Sequence, residues 1–183
     1  KTSICGTDLH IYRGEFSSRV SYPAILGHEF GGEIIEVGND VTKFKRGDRV
    51  VVDPIIPCHK CPTCLSGHIN ACQALKLFGI DVAGCFGNYA AIPEHHLFHF
   101  PKSIPMSYAP LVEMYALGHH ILQRGQVQPG ETVCILGTGK LGLSILDVLC
   151  HSVSPGVTIV TDLQPLPLKP PKDLGADYAL NIL

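Results

Sequence analysis

Cys58, Cys61, Cys64 and Cys72 stand at C-x2-C-x2-C-x7-C spacing. A zinc ion without an open coordination position takes four soft or borderline ligands in a tetrahedron, and four thiolates supply that set. The spacers are short enough for one loop to wrap the ion, with Pro62 and Gly67 to turn the backbone back on itself. Two disulfides are the competing arrangement for four such cysteines. They belong to small secreted domains that lack a sufficient core, and the rest of this chain does not read as one. A redox C-x-x-C reading leaves Cys64 and Cys72 without a role.

A second group packs four chemically able side chains into six residues, Cys5-Gly6-Thr7-Asp8-Leu9-His10. Gly27-His28-Glu29 follows at a distance. A thiolate, an imidazole and a carboxylate are standard ligands for a zinc that keeps one position open. No local spacing joins Cys5 to His28, so a polar turn and an ordinary hydrogen-bonded histidine stay open for them. The third candidate is Gly137-Thr138-Gly139-Lys140-Leu141-Gly142, a G-x-G-x-x-G run with Asp162 twenty positions beyond its last glycine. In a dinucleotide site the first glycine makes a tight turn and the second admits a pyrophosphate. The third lets helix and strand pack closely, and the acidic residue accepts from the adenosine ribose. A carboxylate there repels the extra phosphate of NADP, which favours NAD. A glycine turn in an unrelated α/β unit is the plain alternative.

These residues need elements to hold them. Glu33–Val37 and Arg49–Val52 are β-branched runs bounded by turn formers, and Gly87–Ile92 reads as a further strand. Many short strands with glycine turns predict a β-barrel-like part. From Ser107 the pattern turns helical to Gln123, interrupted around Pro110. Thr132–Leu136 is a continuous apolar strand of the kind buried on both faces of a parallel sheet. An apolar helix over Leu143–Cys150 and a second apolar strand, Val157–Thr161, complete a strand–turn–helix–strand unit around the glycine run.

Composition narrows the class. At 183 residues the chain can bury one sizeable core or hold parts of two domains. The net charge of −2 and the scattered Lys and Arg argue against nucleic acid or an anionic membrane as partner. No apolar run is long enough to span a bilayer. Eight cysteines outside a secreted context point to metal, reduced core thiols, or both, in a cytoplasmic protein. Cys85, Cys134 and Cys150 fall in apolar surroundings and read as small buried hydrophobes.

These motifs, in this order, resemble the zinc-dependent medium-chain dehydrogenase/reductase family of alcohol, polyol and threonine dehydrogenases. The matching stretches are Cys5–His10, Gly27-His28-Glu29, Gly47-Asp48-Arg49-Val50, the four-cysteine loop, Val112-Glu113, Gly137–Gly142 and Gly175-Ala176-Asp177. The resemblance implies an α/β fold with a β-barrel part: a GroES-like catalytic domain over residues 1–115, then a partial Rossmann domain over 116–183. It implies Cys5 and His28 as catalytic-zinc ligands, with Glu29 or Glu113 as the third. Asp8 would hydrogen-bond the zinc-bound His28, and Thr7 and His10 match proton-relay positions. Gly137, Gly139, Gly142 and Asp162 would bind NAD, and Cys58, Cys61, Cys64 and Cys72 a structural zinc.

The implied activity is oxidation of an alcohol or polyol by hydride transfer to NAD, with threonine-type amino-alcohol oxidation as the rival. The parent is expected to act on a small molecule and to form a homo-oligomer. Against the family pattern the chain reads as lacking both ends, so an inactive zinc-binding fragment is the second class of reading. Pro165, Pro167, Pro170 and Pro171 depart from a helical pattern and predict irregular backbone from Pro165 to about Pro171.

Overall fold

The computed structural model describes residues 1–16, 18–164 and 169–183. Two compact units divide the chain, Lys1–Leu111 and Val112–Leu183. This division falls after Leu111, where the expectation put it after residue 115.

The first unit opens with helix α1, Gly6–Tyr12. Strands β1 (Gly31–Glu33) and β2 (Arg49–Val52) follow, then β3 (Ile55–Ile56), helix α2 (Pro62–Leu65), β4 (Lys76–Leu77) and β5 (Leu97–His99). Strand β2 lies between β1 and β5 in an antiparallel sheet, while β3 and β4 form a separate two-stranded pair. Val50, Val51 and Val52 are buried, as β-branched residues of a central strand should be. Gly31 is needed in β1 because a Cβ there would lie 2.6 Å from Ala109 Cβ and 2.7 Å from the Val50 carbonyl. The two sheets do not close into a barrel among the described residues.

Two expected strands are not formed as predicted. Strand β1 stops at Glu33, opposite Arg49, because its partner turns away through Gly47 at φ +88°. Ile34–Val37 therefore runs on with Ile35 and Val37 exposed. Gly87–Ile92 has no ladder partner among the described residues, and strand propensity without a ladder does not make a strand. Both stretches line one trough of about 910 Å³.

The second unit begins with α3, Val112–Gly125, entered from a 3-10 turn over Met106–Leu111 that contains Pro110. Then come β6 (Thr132–Leu136), α4 (Lys140–Ser152), β7 (Val157–Asp162), α5 (Lys169–Asp173) and β8 (Tyr178–Asn181). The strands are parallel in the order β6-β7-β8. Leu146, Leu149 and Val160 are buried at the centre of its core, with Leu122, Ile135 and Ala179 around them.

Strand β6 departs from the expected burial on both faces. Ile135 is buried, but Cys134 is exposed and Leu136 is 79 % exposed. Alternation along the strand sends these two to the face opposite the core. Cys134 is thus not a core thiol, whereas Cys85 is buried and Cys150 packs at the core edge. The proline segment is also corrected in part. Pro165–Leu168 lies outside the described residues, but Pro170 and Pro171 sit inside helix α5. Both fall in its first turn, where amide hydrogens have no intrahelical acceptor and a missing one costs little.

Candidate functional site

Helix α1 presents the Cys5–His10 group. Cys5 is its N-cap, and the Cys5 amide donates to Asp8 Oδ2 at 2.8 Å. The other carboxylate oxygen of Asp8 accepts from the Gly27 amide at 3.2 Å. Asp8, only 3 % exposed, thus ties the start of α1 to the residue preceding His28. The same fastening continues along the chain. Ser3 donates its amide to the Glu29 carbonyl at 3.1 Å, the Thr2 hydroxyl donates there at 3.0 Å, and the Ser3 hydroxyl bonds the Glu29 carboxylate.

One consequence is that Cys5, His28 and Glu29 come together. Their ligand atoms lie within 4.8 Å of one another. Glu29 is fully buried and His28 nearly so. Sulfur, nitrogen and carboxylate oxygen on so short a scale form a donor set that suits zinc with a position left over. Thr7 stands beside the cluster, with Oγ1 3.7 Å from Cys5 Sγ. His10, at the exposed end of α1, pairs through Nδ1 with Glu15, a partner that the sequence pattern did not reveal. Glu113 lies in the first turn of α3, in the second unit.

The expected bond from Asp8 to His28 is not made. Asp8 Oδ1 is 3.8 Å from His28 Nδ1, beyond hydrogen-bond range. The carboxylate instead takes the Cys5 and Gly27 amides, so it orients His28 through the backbone. The capping spacing Cys5-x-x-Asp8 was a legible signal for half of this arrangement.

The four-cysteine loop folds on itself through α2, which starts from Cys61 with Pro62 at its first position. His59 at φ 55° and Gly67 at φ +88° supply the left-handed turns. The four sulfurs lie within 4.8 Å of one another, and all eight cysteines of the chain are free thiols. Amides of Cys58 and Ala74 each point at Cys72 Sγ, 3.3 Å away. The Thr63 hydroxyl, 3.1 Å from Cys61 Sγ, leads the backbone amides in pulling that thiol down to about 5. Burial pushes Cys64 up to about 12. Thiolate donors prepared by amides, and one resisting ionisation without a cation, fit a closed zinc site.

In the second unit the glycine run joins β6 to α4. Gly137 has φ +100°, and its amide donates to the Thr161 carbonyl at 2.8 Å. A Cβ on Gly142 would lie 2.0 Å from the Gly137 carbonyl oxygen, so helix and loop touch only because that residue is glycine. Above Gly139, the N-cap of α4, there is open space. Asp162 ends β7 beside this loop and accepts from the Thr138 amide at 2.7 Å and the Thr138 hydroxyl at 2.8 Å. Thr138 was not singled out from the sequence; a hydroxyl between two glycines carries no local signal.

Residues 1–102 match the alcohol dehydrogenase GroES-like domain. The chain belongs to the zinc-dependent medium-chain dehydrogenase/reductase family. Among relatives of this family it is 39 % identical over 182 residues to sorbitol dehydrogenase of Bacillus subtilis, covering 98 % of this chain and 51 % of that protein. It is 41 % identical over 182 residues to L-threonine 3-dehydrogenase of Pyrococcus horikoshii, covering 98 % and 52 %. A zinc-binding dehydrogenase structure from Sinorhizobium meliloti, bound to NADP, superposes with a TM-score of 0.92 at 31 % identity, covering 98 % and 52 %. The rspB alcohol dehydrogenase of Escherichia coli, complexed with NADH, gives 0.91 at 35 %, covering 99 % and 52 %. The chain thus spans about half the length of the relatives it matches. No helix among the described residues is long and apolar enough to cross a membrane.

Proposed function

We propose that the protein to which this chain belongs oxidises an alcohol or polyol with NAD, using one catalytic and one structural zinc per subunit. The observation that carries the reading is the convergence of Cys5, His28 and Glu29 with Thr7 beside them. In this reading residues 1–115 are the GroES-like catalytic part and 116–183 the beginning of a Rossmann domain. Cys5, His28 and Glu29 hold the catalytic zinc, and the four-cysteine loop holds the other. Zinc bound there supplies a Lewis acid to a substrate hydroxyl, and NAD supplies the hydride acceptor.

The chain's own residues do the rest. The Thr7 hydroxyl can both accept and donate, so it takes a proton from a substrate hydroxyl and passes it on. His10 receives it at the exposed end of α1 and releases it to water. Asp8 keeps the start of α1 and the His28 backbone in register. Gly137, Gly139 and Gly142 bring the N-terminus of α4 to a pyrophosphate, and Asp162 accepts from the adenosine ribose.

Relatives named as a sorbitol dehydrogenase, at 39 % identity, and an L-threonine 3-dehydrogenase, at 41 %, support a small hydroxyl-bearing molecule as substrate, and polyols are the class put to the test. The test is a panel of alcohols, polyols and L-threonine with the full-length enzyme, in NAD and in NADP. Oxidation of a polyol with NAD preferred is the expected result. Asp162→Gly should then relax discrimination against NADP, and an unchanged ratio of kcat/KM for the two cofactors removes Asp162 from the ribose. Turnover of threonine alone overturns the substrate class.

A further inference from the structure

Asp162 meets the nucleotide reading with most of its acceptor capacity already used. An ionised carboxylate offers about four lone-pair positions, two on each oxygen. Oδ2 accepts two hydrogen bonds from one residue, the Thr138 amide at 2.7 Å and the Thr138 hydroxyl at 2.8 Å. Oδ1 accepts from the Gln164 amide at 2.9 Å. Thr138 is itself buried, 6 % exposed, so its hydroxyl has no competing bond to water. The carboxylate is therefore turned into the glycine loop, with one oxygen saturated.

We propose that Thr138 restricts Asp162 to a single ribose hydroxyl: with Oδ2 filled by the Thr138 amide and hydroxyl, Oδ1 is the oxygen that the bonds of the described residues leave to the nucleotide. This rests on the dinucleotide reading given above. A carboxylate free to turn both oxygens outward would accept from both ribose hydroxyls. Here the second hydroxyl must find another partner or stay with water. The charge is unaffected. The Gln164 amide, then the Thr138 amide and hydroxyl, hold the carboxyl below its ordinary value, so Asp162 stays ionised and still opposes a 2′-phosphate. Thr138 acts through Asp162 and is a positioning residue.

The test uses ADP-ribose and its 2′-deoxy and 3′-deoxy forms as probes, with binding measured by calorimetry on the full chain. In the parent, one of the two deletions should weaken binding about tenfold or more, the size of a hydrogen bond to a charged group, and the other by less than about twofold. Thr138→Val removes the hydroxyl and keeps the shape. It frees a position on Oδ2, so both deletions should then weaken binding, whereas Thr138→Ser should behave as the parent. Carbon-13 titration of the Asp162 carboxyl gives a readout that needs no nucleotide: it should move up in Thr138→Val and stay in Thr138→Ser. Equal penalties for the two deletions in the parent, or a titration unmoved by Thr138→Val, overturn the inference. A parent that fails to bind ADP-ribose, while the titration responds as stated, overturns the nucleotide reading and this inference with it.

Discussion

Replacing Asp8 by Asn tests the idea that one buried carboxylate assembles the Cys5–His28 site through the backbone. Asp8 accepts from the Cys5 amide at 2.8 Å and from the Gly27 amide at 3.2 Å. An asparagine side chain has the same shape but one acceptor oxygen, so its NH2 must face one of these two amides. One hydrogen bond to a charged acceptor is lost, worth about 1.5–3 kcal/mol, and one N–H is left unsatisfied in a buried place, worth about 1–3 kcal/mol. The two overlap, and the Gly27 bond is long, so the expected loss is about 2–4 kcal/mol. Against a total stability of about 5–15 kcal/mol that is a large share. Urea unfolding followed by circular dichroism measures it, and elemental analysis of the folded protein measures the site. Asp8→Asn should lose zinc from the Cys5–His28 site and keep it in the four-cysteine loop, which Asp8 does not touch. A change below about 0.5 kcal/mol together with unchanged metal content would falsify the fastening role.

Gly142→Ala should destabilise the second unit by about 3 kcal/mol or more, because its Cβ would stand 2.0 Å from a backbone oxygen that cannot swing away. Thermal unfolding checks this, and a cost under about 1 kcal/mol contradicts the packing. Arg19 holds the Asp81 carboxyl below its ordinary 3.8 through bonds of 2.9 and 2.7 Å. Because the folded value is depressed, the pair's contribution is present above pH 3.8 and fades as pH falls through the folded value. Asp81→Asn should therefore cost about 1 kcal/mol at pH 7, little enough for a partly exposed pair, and progressively less as pH falls below 3.8; a cost that does not shrink with falling pH refutes it. Full-length enzyme should carry two zinc ions per subunit, and Cys72→Ser should lose one of them. Glu113→Ala, with zinc content and activity both within about twofold of the parent, would remove Glu113 from the ligand candidates.

What the sequence made legible follows the range of each interaction. The four-cysteine site was readable because its ligands lie within fifteen residues, Cys58 to Cys72, and their spacing is the geometry. The turn at Gly137 and the close contact at Gly142 were readable for the same reason. The meeting of Cys5 with His28 was not, because it depends on Asp8 bonding Gly27 nineteen residues away; only the family resemblance suggested it. Strand propensity misled at Ile34–Val37 and Gly87–Ile92, where the residue types suit a sheet but the ladder partner decides. Apolarity misled at Cys134, since a run of apolar residues does not tell which faces of a strand are covered. The prolines misled because helix α5 begins at Lys169, and a proline in a first turn is a different object from one in the middle.

The two zinc clusters differ in how they would enter the folding reaction. The four-cysteine loop closes within its own fifteen residues, and closing a chain of that length takes less than a microsecond. Its thiolates can gather an ion while the sheets are still unpaired, and the ion then fixes α2 and the turns beside it before any long-range contact exists. The Cys5–His28–Glu29 group has no such head start. Its halves are held by hydrogen bonds between residues 2–8 and 27–29, which form only when the first unit has condensed. Metal would thus be captured in a set order, local loop first. Strong chelation would loosen that loop while leaving the parallel sheet, which has its own apolar core around Leu146 and Val160, to melt at its own temperature.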